Sequence, residues 1–267
     1  MIRLVGILVF ALAGIARAEP LTITTVEYET DVGLARGWLA TIDLTDPAIE
    51  LFVSDTRNDE GVPVRVPTDE WAEANDVTLA TNANFFGARE IVGLCISDGE
   101  LVSEPRGNDP VLLIFDGRAE VVAGEAPKLE GVRHAVAGVG ASETAPVGTA
   151  ILKDGKNIGE AARVDAFKRH PRTGAGVDEA GTTLFLLVVD GRQPGHSVGV
   201  TLRELAELMI QAGADDAVNL DGGGSSAFLY RNKQGQWQSN RPSAGTHRPV
   251  PNHIGVRVHR VDSRERP

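Results

Sequence analysis

Short runs in which apolar and polar residues alternate with period two dominate the first half of the chain, and they predict strands. Thr22–Tyr28, Trp38–Leu44, Ile49–Val53, Val77–Ala80, Ile91–Ile96, Val111–Phe115 and Ala119–Ala123 are such runs, rich in β-branched residues. Pro67–Asn75 reads as a short helix with Thr68 as a cap candidate. Five Asp-Gly pairs, at Asp98, Asp116, Asp154, Asp190 and Asp221, follow or separate apolar runs and point to hairpins.

The clearest helix is Leu202–Ala212. Thr201 and Glu204 have capping-box spacing, Leu202, Leu205, Ala206 and Met209 share a face, and Gly213 follows the last turn. Two apolar strands flank it, 183–189 and 217–220, which suggests one βαβ-like unit. Ala227–Tyr230 and the tail Ile254–His259 read as further strands. The pattern as a whole predicts an α+β fold: a hairpin-rich, twisted, mixed β-sheet core with a few helices.

Composition adds boundaries. The chain has 267 residues, 42% hydrophobic and 5% aromatic, so its core must come mainly from Val, Leu, Ile and Ala. Leu4–Ala16 is an apolar run behind Arg3, and Ala16-Arg17-Ala18 presents small residues at the two positions that a signal peptidase reads. As a helix that run would span about 20 Å, short of a bilayer core of about 30 Å. Residues 1–18 are therefore read as a signal peptide and 19–267 as one domain, periplasmic or secreted by a bacterium, with no stable membrane insertion after cleavage. The formal charge of −11 argues against nucleic acid as a partner. A single cysteine, Cys95, excludes an internal disulfide; it lies in an apolar run and reads as a buried small hydrophobe.

The chemistry gathers in the second half. Asn219-Leu220-Asp221-Gly222-Gly223-Gly224-Ser225-Ser226 ends an apolar strand in a carboxylate and follows it with three glycines and two hydroxyls. Such a bend can make a nest of amides for an anion, or be a plain turn. It lacks the Lys of a phosphate-binding P-loop, the Gly spacing of a dinucleotide site and the helix that follows a nucleophile elbow.

Val189-Asp190-Gly191-Arg192, with His196 close behind, repeats the theme of an apolar strand that delivers an Asp to a turn. If the two strands run parallel, Asp190, Asp221 and His196 share one end of the sheet. Arg172 and Thr173 in a Gly-rich loop, and Arg248 between His247 and Pro249, offer guanidinium forks to a phosphate. Asn82 and Asn84 just past a strand suit sugar hydroxyls, or cap a turn. A divalent cation at Asp221 stays open.

These elements, in this order, resemble the phosphodiester glycosidase family. The motifs stand at Asn82–Phe86, Arg172–Gly176, Asp190–Arg192, Gly199–Leu208, Asn219–Ser225 and Arg248–Val250, within residues 82–258. Arg-Thr-Gly-Ala-Gly departs from the Ala-Val-Gly or Ala-Ile-Gly of many relatives and keeps the final Gly.

The resemblance implies a hydrolase that cuts a glycosyl-1-phosphodiester of an envelope or extracellular glycan to free sugar and phosphomonoester. Asp221, Asp190 and His196 are then the catalytic candidates. Arg172, Arg248, Gly222, Gly223, Gly224, Ser225 and Ser226 would bind phosphate, and Asn82, Asn84, Thr173, Arg192 and Asn219 the rest of the substrate. Two other readings stay open: a non-catalytic module for an anionic glycan or exopolysaccharide, and a metal-dependent phosphodiesterase.

Overall fold

The computed structural model describes residues 19–107, 109–138, 150–161 and 165–259. The expected signal peptide lies outside them. β1 (Leu21–Thr30), β2 (Gly33–Asp43) and β3 (Ile49–Val53) precede α1 (Thr68–Ala74) and β4 (Leu79–Asn82). Next come β5 (Cys95–Ser97), β6 (Glu100–Ser103), β7 (Val111–Phe115), β8 (Arg118–Val122) and β9 (His134–Ala137). They lead to β10 (Leu152–Lys153), β11 (Lys156–Asn157), β12 (Arg172–Val177) and β13 (Thr183–Val189). α2 (Leu202–Ala212) and β14 (Asp216–Asn219) follow, then β15 (Phe228–Arg231), β16 (Trp237–Ser239) and β17 (His253–Val258).

The strands form a seven-stranded sheet, β1-β2-β13-β12-β14-β10-β11, and two five-stranded sheets, β16-β15-β4-β17-β3 and β6-β5-β9-β7-β8. The fold is α+β with few helices, as the pattern predicts. The ladders among the described strands are antiparallel, where a mixed sheet was expected. The reason is an inserted strand. β13 and β14 both pair antiparallel with β12, so they run parallel to each other with β12 between them.

The unbroken apolar run of β13 is explained by burial on both faces. Leu184, Leu186 and Val188 enter a core shared with the two smaller sheets, whereas Phe185, Leu187 and Val189 pack with Leu202, Leu205 and Met209 of α2. The helix closes as its ends foretold. The Thr201 hydroxyl accepts from the Glu204 amide, the Glu204 carboxylate accepts from the Thr201 amide, and Gly213 turns left-handed at φ 103°. Gly174 in β12 supplies the seat, since a β-carbon there would stand 2.7 Å from Cε of Met209.

Two local expectations change. Thr68 lies inside α1 rather than at its cap, behind Pro67, and makes no capping bond. Of the Asp-Gly pairs, Asp98-Gly99, Asp116-Gly117 and Asp154-Gly155 close hairpins. Asp190-Gly191 and Asp221-Gly222 do not; their strands pair elsewhere and their turns open into the site. Cys95 is fully buried and free, and burial pushes its thiol up to about 12.

Candidate active site

Three strand ends meet at one edge of the large sheet. Arg172, the first residue of β12, pairs with Val189 at the end of β13, and Gly174 pairs with Asn219 at the end of β14. Asp190 and Asp221 therefore leave the sheet at the same edge, on either side of β12.

Asp190 is buried, and its carboxylate is surrounded by donors. Oδ1 accepts from Nδ2 of Asn240 at 2.8 Å, and both oxygens accept from the Arg241 amide at 3.1–3.2 Å. Oδ2 lies 2.9 Å from Nε2 of His196. A carboxylate on one ring nitrogen fixes the imidazole and leaves Nδ1 as its basic atom. Ser197 ties the backbone below, donating to the Asp190 carbonyl at 2.6 Å and accepting from the Arg36 amide at 3.0 Å.

Asp221 sits across from it, 6% exposed. Burial raises its carboxyl group to about 6; bonds from Ser225 and from the Gly222 amide, and the Arg248 charge, oppose that rise. Its amide donates to the Ala83 carbonyl at 3.1 Å, and its carbonyl accepts from Nδ2 of Asn82 at 2.6 Å.

The triple-glycine bend carries two guanidinium groups. A β-carbon on Gly224 would lie 2.8 Å from Cζ of Arg248, and one on Gly223 would lie 3.2 Å from both terminal nitrogens of Arg192. Arg248 donates to Oγ of Ser225 at 3.3 Å. Arg192 reaches Nδ1 of His170 at 3.1 Å and holds a left-handed backbone, φ 59°. Both arginines are exposed on a chain whose net charge is −11, so the bend is a local positive patch.

Other expected site residues are placed differently. Arg172 is a buried strand residue, not a loop residue. Its Nη2 donates to the carbonyls of Asp165 and Lys168 at 2.8 and 3.0 Å, and burial pulls the guanidinium down to about 10. It braces the 165–168 turn, and the exposed forks at the bend belong to Arg192 and Arg248.

Nor is the bend a free nest of amides. Gly222 donates to Asp221 Oδ1, Gly223 to the Pro171 carbonyl, Ser225 to Gly222 and Ser226 to Gly223. Its positive charge comes from side chains.

Asn82 is the last residue of β4 and has no exposed surface. Its Oδ1 accepts from Thr173 Oγ1 at 2.8 Å and from the Ala227 amide at 3.1 Å. Asn84 is equally enclosed, donating to the carbonyls of Val92 and Leu94 and accepting from Asn252 Nδ2 at 2.7 Å. Asn82, Asn84 and Thr173 thus position the loops. Asn219 and Ser226 are each 3% exposed, and Asn219 Oδ1 and Ser226 Oγ are buried without a hydrogen-bond partner among the described residues.

The sequence reading missed Asn240. It bonds Asp190, the Ser226 carbonyl at 3.3 Å and the Phe228 amide at 2.9 Å, so it ties the two aspartate loops together. It lies 50 residues beyond Asp190 in a segment with no motif, and no local signal marks it. Among the described residues the acidic group with metal-ligand spacing is Asp154, Asp215 and Asp216. It lies at the opposite end of β14 from Asp221 and is paired with Lys153.

Two guanidinium groups, a buried acid and a carboxylate-held histidine at one sheet edge suit chemistry on an anionic ester. The family model for phosphodiester glycosidases matches residues 75–257, and the chain belongs to that family. A search of curated proteins gives no significant match.

Among solved structures, the chain resembles the catalytic domain of zebrafish N-acetylglucosamine-1-phosphodiester alpha-N-acetylglucosaminidase, auto-inhibited by its pro-peptide. The TM-score is 0.69 at 20% identity, over 91% of this chain and 85% of that one. A hypothetical protein from Synechocystis gives 0.65 at 17% identity, over 89% and 62%. A candidate exported protein of Burkholderia pseudomallei gives 0.59 at 19% identity, over 84% and 74%. At these identities the likenesses show the fold alone.

Proposed function

We propose that the protein hydrolyses a glycosyl-1-phosphodiester to free sugar and phosphomonoester, by cleaving the bond between the anomeric carbon and oxygen. The observation that carries this is the pairing of Arg192 and Arg248 over the bend with the carboxyl group of Asp221. As that bond breaks, negative charge develops on the departing phosphate oxygen before the proton arrives, and fixed cations at that point lower the barrier. Asp221, with a pKa of about 6, retains a proton in mildly acidic solution and gives it to the departing oxygen. Asp190 holds His196 so that Nδ1 takes a proton from the water that attacks the sugar. The balance is closed: water supplies hydroxyl to carbon and a proton to His196, and phosphate leaves with the Asp221 proton.

Reaction of N-acetylglucosamine-1-phosphodiesters in ¹⁸O water tests this. Label is expected in the sugar. Label in the phosphate would instead mean attack at phosphorus, the phosphodiesterase reading. Saturable binding with no product after long incubation would mean a glycan-binding module. Export to the periplasm or exterior belongs to the same proposal. It rests on residues 1–18, and no helix among the described residues is long and apolar enough to cross a membrane.

A further inference from the structure

Two phenyl rings stand out among the exposed apolar side chains of the described residues, Phe85 at 46% and Phe167 at 75%. They differ in what holds them. Phe167 lines a surface groove with Tyr28, Arg169 and Glu204, beside α2. Phe85 is tethered to the active site from both sides. Two residues before it, the Ala83 carbonyl accepts the Asp221 amide, and Phe85 lies within about 7 Å of Ala83 along the chain. Directly before it, Asn84 exchanges two hydrogen bonds with Asn252, on the segment that leaves Arg248.

The far side of Phe85 is equally fixed. Its carbonyl accepts from the Val92 amide at 2.8 Å. Phe86 bridges to Ile91 and lies under the Arg65 guanidinium, 4.6 Å from the ring centre. The segment is therefore rigid, yet it leaves a large apolar ring in water beside an otherwise polar site. A well-anchored solvated ring beside ionic groups is the usual makeup of a ligand pocket, where apolar surface binds and few polar groups orient.

We infer that Phe85 is a substrate-binding residue whose ring stacks on the C–H face of the sugar, and so sets which sugars are accepted. The inference rests on the reading above, in which phosphate lies at Arg192 and Arg248. Phe85 is bonded through Ala83 to Asp221, the residue assigned to the glycosidic oxygen, so it flanks the sugar rather than the group beyond the phosphate. Phenylalanine offers no hydrogen bond, so it reads the shape of the C–H face and leaves hydroxyl recognition to polar neighbours.

The test compares Phe85→Ala, Phe85→Trp and Phe167→Ala on N-acetylglucosamine-1-phosphate diesters with methyl and 4-nitrophenyl aglycones. Phe85→Ala should raise KM about tenfold for both diesters, with kcat and Tm nearly unchanged. Phe85→Trp should restore KM, and Phe167→Ala should leave it alone. An unchanged KM in Phe85→Ala, or a loss confined to the nitrophenyl diester, overturns the inference.

Binding of free N-acetylglucosamine, followed by saturation-transfer NMR, separates this inference from the catalytic proposal. If no diester is cleaved but Phe85→Ala weakens sugar binding, the subsite stands and the hydrolase reading falls. If cleavage is intact and sugar binding is unaffected, the subsite falls alone.

Discussion

The Arg248 guanidinium occupies the space that a β-carbon on Gly224 would need. Arg248 is exposed and its end is flexible, so a methyl group there displaces the guanidinium without disturbing the backbone. Gly224→Ala should keep Tm within about 2 °C and cut kcat/KM by roughly 100–1,000-fold, the scale of losing one donor to a developing anion. Arg248→Ala should cost the same, and the double variant should lose no more. Gly222→Ala is the contrast, because its β-carbon would lie 2.9 Å from the Pro171 carbonyl. Backbone cannot move aside as cheaply, and that variant should lose roughly 1–3 kcal/mol of stability, read by urea unfolding.

Asp221 links activity and stability to pH with the same sign, and both fall as pH rises. With its carboxyl group at about 6, kcat/KM should fall tenfold per pH unit above pH 6, and Asp221→Asn should lose both the activity and that limb. The folded-state value lies above the unfolded 3.8, so the folded protein holds the proton more tightly. Stability from this group is complete below pH 3.8 and is lost as pH rises through 6. Asp221→Asn should therefore be more stable than the parent at pH 8, by up to about 3 kcal/mol, and the gain should vanish near pH 4. Thermal unfolding across pH 4–8 checks it.

Asn240 carries a different signature. Asn240→Ala strips Asp190 of a donor and leaves the buried Phe228 amide without its side-chain acceptor. Stability should drop roughly 1–3 kcal/mol and kcat should fall. Asn240→Asp keeps an acceptor for Phe228 but sets a second carboxylate against Asp190. Mutual repulsion should then move the acidic limb of the pH–rate profile to higher pH, a change that a merely structural role would not produce.

The same dipeptide shows what the sequence could and could not convey. At Asp98-Gly99 and Asp154-Gly155 both residues turn left-handed and the strands fold back, as local turn chemistry dictates. At Asp190-Gly191 the outcome depends on Asn240 and Arg241, donors some 50 residues away that no local pattern announces. Arg172-Thr173-Gly174-Ala175-Gly176 misled for the opposite reason. Two glycines and an alanine look like a loop, yet this is a central strand whose small residues make room for α2 and for Ala214 and Ala217. The long strands, the capping box and the shared edge of Asp190 and Asp221 were legible because they follow from periodicity and from the crossover of β13 to β14.

Acid should loosen the fold through His253. The ring is fully buried, stacks on Trp71 at 4.6 Å and bonds Val66, and burial pushes its pKa down to about 3. Its folded-state value is below the unfolded 6.5, so its stability contribution is complete above pH 6.5 and is lost as pH falls toward 3. The slope from this group approaches 1.4 kcal/mol per pH unit, and it should flatten in His253→Gln. His134, also buried, has a ring nitrogen that accepts from the Asp98 amide at 3.0 Å and should add to the same loss. Urea titrations at pH 7, 5.5 and 4.5 measure it.

Cys95 has a practical consequence. It is the chain's sole thiol, sealed from water and held protonated, so maleimides and alkylating agents will pass it by at neutral pH. A cysteine placed at the exposed Ala244, three residues beyond Arg241, becomes a uniquely addressable handle. A fluorophore attached there reports from the neighbourhood of the reacting groups with no background to engineer away.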